Sequence, residues 1–153
     1  MFGLDRIDLK ILRVLQNDGR LSNAELAESV NVSAATCHRR TQRLIEQKFI
    51  KSVQAHIQPN AVNLGSMVMV GVVIDRSTPE SFENFELAIK KLSIVLSCYL
   101  VAGEYDYLLK IRVKDIADFN KLHSDKLLAL PEVRQLRTYF VMKEVVDNAP
   151  LPF

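Results

Sequence analysis

Hydrophobic positions recur at helical spacing three times within the first fifty residues. Leu4, Ile7, Ile11 and Leu15, with Leu12 widening the stripe, predict a helix that Asp5 caps. Asp18-Gly19 ends it, with glycine expected in the left-handed cap conformation. Ser22-Asn23-Ala24-Glu25 has the form of a capping box, and the short helix it opens turns Leu26, Ala27 and Val30 inward. Asn31-Val32 makes a tight turn. Ser33 caps a third helix reaching about Gln47, with Cys37, Thr41 and Leu44 on its buried side.

The pattern then changes period. Residues 50–58 alternate apolar and polar and predict a strand, followed by turn residues at Pro59-Asn60 and Leu64-Gly65. Met67–Ile74 is apolar at every position. Thr78-Pro79-Glu80 opens a helix with Phe82, Phe85, Ile89 and Leu92 on one face. Strands are predicted over Ile94–Ala102 and Tyr107–Val113, joined by a turn at Gly103–Asp106. Asp115 caps a helix with Ile116, Phe119, His123, Leu127 and Leu130 inward, and Pro131 interrupts it before a last strand, Arg134–Lys143. This order, β-α-β-β-α-β, is the ferredoxin-like split motif. The tail Asn148–Phe153, with Pro150 and Pro152, is expected to lie extended on the surface. An α+β chain follows: a winged-type helix-turn-helix over 1–50, a strand and linker over 51–65, and a ferredoxin-like βαββαβ domain over 66–153.

Composition narrows the functional classes. With 48% hydrophobic and 25% charged residues the 153-residue chain is globular, and no apolar run approaches the roughly 20 residues of a membrane helix. The N-terminus lacks a signal-peptide pattern, so a cytoplasmic protein with no membrane partner is expected. Cys37 and Cys98 have no CxxC spacing and read as buried free thiols. His38, His56 and His123 show no metal-ligand spacing, and no phosphate loop, dinucleotide fingerprint or nucleophile elbow occurs. No enzyme, metal site or cofactor is expected.

The net charge of +2 is small, but residues 1–60 hold nine Lys/Arg against six Asp/Glu, and no acidic residue occurs between Asn31 and Ile45. With Cys37 inward, the outer side of the third helix presents Ser33, Ala34, Ala35, His38, Arg39 and Gln42, flanked by Thr36, Arg40 and Arg43. Small residues at a helix N-terminus permit close approach to DNA. Arg and Gln can read guanine and adenine edges, and neighbouring arginines can hold phosphates. A solvated basic helix has a similar face, but the cap, turn and plug residues together favour duplex DNA as the partner.

In the second half, the doubly apolar Met67–Ile74 strand needs both sheet faces covered, which predicts a two-fold homodimer through this domain. The Gly103-Glu104-Tyr105-Asp106 turn reads two ways from its chemistry. It is either a tight hairpin in which Asp106 satisfies backbone, or a site offering amides to a carboxylate and a carboxylate to an ammonium.

The chain resembles the Lrp/AsnC family of leucine-responsive, or feast/famine, regulators. The resemblance rests on Leu4-Asp5-Arg6-Ile7-Asp8, the run Arg20–Ala27, Val32-Ser33 leading into Cys37–Leu44, and Val101–Lys110. It implies an amino-acid effector bound near the turn, with Gly103, Tyr105 and Asp106 as contacts and Thr138, Tyr139 and Phe140 as neighbours. It also implies assembly of dimers into tetramers or octamers. The function expected is a sequence-specific DNA-binding regulator modulated by a small effector. The alternatives are an architectural DNA-wrapping protein without effector response, or a module whose helical part binds protein. Two departures stand out. Lys48 occupies the place of a usual glycine after the third helix, so the exit turn is expected to be strained or differently shaped. Thr41 replaces a usual Ile or Val, making the plug more polar.

Overall fold

A computed structural model describes residues 3–76 and 78–153. The chain forms two compact units, one of residues 1–56 with 146–153 and one of residues 57–145.

The helical unit contains α1 (Arg6–Asn17), α2 (Asn23–Val30) and α3 (Ala34–Glu46). Both expected caps at its start are present. Asp5 accepts from the Ile7 and Asp8 amides, and Asp8 reaches back to the Asp5 amide, so the first box is doubly acidic. Ser22 and Glu25 form the second box. Asn31 ends α2 in the left-handed conformation, which a short polar side chain tolerates. Ile11, Leu26, Ala27, Val30, Cys37 and Leu44 form the core.

Gly19 has a different reason from the one expected. The end of α1 is extended at Asp18, and Gly19 is not left-handed; a Cβ there would meet Val53 Cγ1 at 2.9 Å. The close approach of Val53, rather than a left-handed backbone, is what the glycine accommodates. The strand expected over 50–58 is absent. The segment has no ladder partner among the described residues, and alternation alone does not make a strand without one. The tail also departs from the expected boundary, since residues 146–153 belong to the helical unit.

The second unit holds a 3₁₀ turn (Pro59–Val62), then β1 (Ser66–Ile74), α4 (Pro79–Ile89), β2 (Val95–Leu100), β3 (Tyr107–Val113), α5 (Ile116–Leu122), one π-helical turn (His123–Leu127) and β4 (Val133–Phe140). The four strands pair antiparallel in the order β2-β3-β1-β4, the ferredoxin-like topology. Val68, Val70, Val72 and Ile74 of β1 meet Tyr107, Leu109, Ile111 and Val113 of β3 on one face, where Phe85, Ile89, Phe119 and Leu127 cover them. Burial and a hydrogen bond to Glu86 push the Tyr107 phenol up. Ile116, expected inward, sits at the start of α5 and is exposed. The last strand starts and ends earlier than expected, at Val133 and Phe140.

The other sheet face carries Met67, Met69 and Val73, half-buried, together with Tyr139 opposite Met69. The apolar character on both sides of β1 is therefore real.

Candidate nucleic-acid interface and effector turn

α3 is set by its own cap and by α2. Ser33 accepts from the Thr36 amide, its hydroxyl lies 2.9 Å from that of Thr36, and Asn23 Nδ2 donates to the Ala34 carbonyl at 2.9 Å. Ser33, Ala34, Ala35, His38, Arg39 and Gln42 are all exposed, as a groove-facing surface requires; Thr36 is half-buried.

Arg40 and Arg43, expected to flank that surface and hold phosphates, turn toward α1 instead. Arg40 Nη1 donates to Asp5 Oδ2 at 2.5 Å and Asp8 Oδ1 at 2.9 Å, and Arg43 Nη2 pairs with Asp8 Oδ2. The Asp8 side chain is fully buried. A carboxylate removed from water needs both oxygens satisfied, and two guanidiniums plus the Asp5 amide do so. The hydrogen bond from the Asp8 amide, with the Arg40 guanidinium, lowers the Asp5 pKa to about 2; Asp5 and Asp8 in turn raise that of Arg40. The buried Asp8 cluster was not foreseen. Its signal is present as Asp-x-x-Asp opening α1 and Arg-x-x-Arg at i and i+3 on α3, which place like charges on one face of each helix.

One family departure, Thr41, sits on this helix and the other, Lys48, just after it. Lys48 is left-handed (φ 62°), its amide bonds to Ile45 O, and the Ile50 amide returns to Leu44 O at 3.1 Å. The exit turn keeps a glycine-type shape with a lysine in it. Thr41 Oγ1 is buried and lacks a hydrogen-bond partner among the described residues.

The turn between β2 and β3 is tied to β1 by Asp106, whose amide donates to Val72 O and whose Oδ2 accepts from the Ile74 amide at 2.8 Å. The backbone-satisfying role of Asp106 is thus present. Tyr105 lies across Gly71, where a Cβ would meet its ring at 2.7 Å. The Tyr105 ring is edge-on to Tyr139 at 6.3 Å, and the two hydroxyls are hydrogen-bonded. That bond raises the Tyr105 pKa. Arg137 pairs with Glu104, which raises its own pKa.

The six expected effector residues are divided. Tyr105 and Tyr139 meet over Gly71 on the open sheet face, with Asp106 beside them in sequence and Gly103 exposed in the same turn. Thr138 and Phe140 belong to the helix-covered face, opposite Val70 and Val68, and Phe140 is edge-on to Phe119 at 5.3 Å. Strand alternation puts them opposite Tyr139.

Comparison with known proteins agrees with this geometry in both units. Residues 4–45 match the AsnC-type helix-turn-helix domain, and residues 67–151 match the Lrp/AsnC ligand binding domain. The chain is 44% identical over 145 residues to the leucine-responsive regulatory proteins of Escherichia coli and Salmonella typhimurium, spanning 95% of this chain and 88% of theirs. A transcriptional regulator of Neisseria meningitidis solved in complex with L-Met superposes with a TM-score of 0.92 at 38% identity, covering 97% of this chain and 96% of that one. An AsnC family regulator from Agrobacterium tumefaciens gives 0.91 at 32% identity, each chain 97% covered. The chain therefore belongs to the Lrp/AsnC family of transcriptional regulators, DNA-binding proteins whose activity an effector modulates.

Proposed function

We propose that this regulator reads duplex DNA with Ser33, Ala34, Ala35, Thr36, His38, Arg39 and Gln42, inserted into the major groove. The observation that carries this is the division of labour on α3, where the outward residues are exposed and acid-free while Arg40 and Arg43 are held by Asp8. A recognition helix braced from behind loses little freedom on docking. Arg40 and Arg43 act as positioning residues, and Arg39 is the exposed guanidinium available to a base edge or phosphate.

The effector is an α-amino acid held at the Gly103–Asp106 turn, with Tyr105, Asp106 and Tyr139 as its contacts. The turn's amides suit a carboxylate and Asp106 suits an ammonium. The L-Met complex of the Neisseria meningitidis regulator and the leucine-responsive character of the curated relatives support that ligand class. A second copy covers the open sheet face of Met67, Met69 and Val73, giving a two-fold dimer suited to palindromic half-sites, and dimers assemble to tetramers or octamers. Among the described residues no helix is long and apolar enough to cross a membrane, and the proposed place of action is the cytoplasm, where DNA lies.

A thermal-shift screen against the twenty amino acids, followed by DNA selection and footprinting with and without the stabilising ligand, tests the reading. Arg39→Ala is expected to weaken the selected site by about 1–3 kcal/mol and relax preference at one or two base pairs. Asp106→Asn, which keeps an acceptor for the Ile74 amide but removes the charge, should lose the effector response. Binding that is indifferent to sequence and to every amino acid would support DNA wrapping instead.

A further inference from the structure

α1 carries a second set of polar groups beyond those that hold α3. Arg13 and Gln16 stand three residues apart, so both side chains lie on one face of the helix. The Gln16 carboxamide engages both backbone groups of Leu151: its Nε2 donates to Leu151 O at 3.0 Å, and its Oε1 accepts from Leu151 N at 3.0 Å. This is the pairing a neighbouring strand would supply. Two residues on, Arg13 Nε donates to the backbone oxygen of Phe153, and the guanidinium lies 5.6 Å from the centre of the Phe153 ring. Pro152 between them has no amide to satisfy, and its fixed φ keeps the segment extended. A cleft of about 430 Å³ lies alongside, walled by Leu12, Leu15, Phe49, Ile50 and Val53 together with Leu151 and Phe153 themselves.

We propose that the Arg13–Gln16 face of α1 is a peptide-binding groove, and that Leu151-Pro152-Phe153 binds it as a detachable ligand in cis, with Leu151 and Phe153 forming one wall of the cleft. The recognised chemistry is an extended backbone with proline at its centre and an aromatic ring two residues beyond the paired one. The leucine side chain is not read, because it is 71% exposed. Detachment follows from the exposure of Arg13 and Gln16, whose bonds water can replace at little cost. Occupancy in cis follows from tethering, since joining the two partners in one chain gives an effective concentration on the order of millimolar. A free segment of the same chemistry therefore competes only at similar concentration.

Hydrogen exchange of residues 146–153 in the full chain is the first test. The Leu151 amide, bonded to Gln16 Oε1, is expected to be protected, independently of protein concentration, and to exchange like free peptide in Arg13→Ala/Gln16→Ala. Both positions are exposed on a helix where alanine is well tolerated, so that variant keeps the fold. The second test adds the fluorescent peptide NAPLPF to a chain ending at Asp147. Saturable binding is expected there, weaker by at least about tenfold in the intact chain and lost with the double variant. Protection absent in the parent chain, unchanged in the variant, or rising with protein concentration would overturn the proposal; the last would assign the groove to a neighbour's tail. Peptide binding equal in intact and shortened chains would overturn it as well.

Discussion

The face proposed to read DNA and the turn proposed to receive the effector are stabilised in opposite ways. Behind the exposed residues of α3 lies a fully buried carboxylate with its oxygens engaged by two arginines and a backbone amide, all within one helical unit. Behind the 103–106 turn lie a carboxylate bond to the Ile74 amide, backbone bonds of Asp106 to Val72 and Val101, a tyrosine pair and an exposed ion pair, on a sheet face that the chain leaves partly open. The first arrangement is assembled within a single chain, although the buried Nε atoms of Arg40 and Arg43 lack partners among the described residues. The second has free surface and few constraints, which suits a site whose ligand and neighbouring copy supply the missing contacts.

The sharpest way to break this contrast is to remove Asp8. Asp8→Ala leaves Arg40 and Arg43 facing a buried gap, and losing one partner of a buried ion pair costs about 3–5 kcal/mol. The lower end applies, because Arg43 is partly in water and its share is screened. Urea unfolding followed by helical circular dichroism should show the loss. A change under 1 kcal/mol, which is on the order of an exposed pair, would mean the bracing is surface decoration.

Gly71→Ala probes the other region. The new methyl would press on the Tyr105 ring at 2.7 Å, and overpacking of this kind costs about 1–3 kcal/mol. The ring and its bond to Tyr139 are expected to shift, so the effector response should fall while DNA affinity measured without effector is kept. Equal losses in both would show that the turn and the reading face are not independently organised.

Acid separates the two regions through Asp5. Its carboxyl titrates near 2 in the folded chain against an ordinary 3.8, held down first by the Asp8 amide and then by Arg40. A depressed carboxyl contributes its stability fully above the ordinary value, and loses it as pH falls from there through the folded value. The helical unit should therefore weaken between about pH 4 and 2. Asp5→Asn keeps a capping side chain but cannot titrate, and its helical signal should fall less steeply over that range.

Much of this was legible in the chain. The Asp5 cap, the Ser22–Glu25 capping box, the three helices, the β-α-β-β-α-β order and the outward residues of α3 follow from spacing and cap chemistry. Strand alternation would also have separated Tyr139 from Thr138 and Phe140, had it been applied along β4. Other features could not be read locally. Asp8 looks like an ordinary first-turn acid until α3 brings Arg40 and Arg43 against it. Gly19 matters through Val53, thirty-four residues away. Residues 50–58 carry a strand's pattern but no partner strand. The grip of Arg13 and Gln16 on the tail has no periodic signature, because it depends on backbone groups that every sequence shares.

The smallest expected effect concerns the lysine that ends the reading helix. Lys48 holds the left-handed conformation at φ 62°, with the Ile50 amide bonded back to Leu44 O, as a glycine cap would be. A side chain in that conformation costs about 1–2 kcal/mol, part of which glycine forfeits through its freer unfolded chain. Lys48→Gly should therefore stabilise the helical unit by about 0.5–1 kcal/mol, read as a rise in urea midpoint with unchanged slope. Because the side chain is exposed and lies beyond the groove-facing residues, affinity for the selected site should change by less than the stability does. A destabilised variant would show that Lys48 makes a contact worth more than its backbone strain, and that the departure from glycine is compensated.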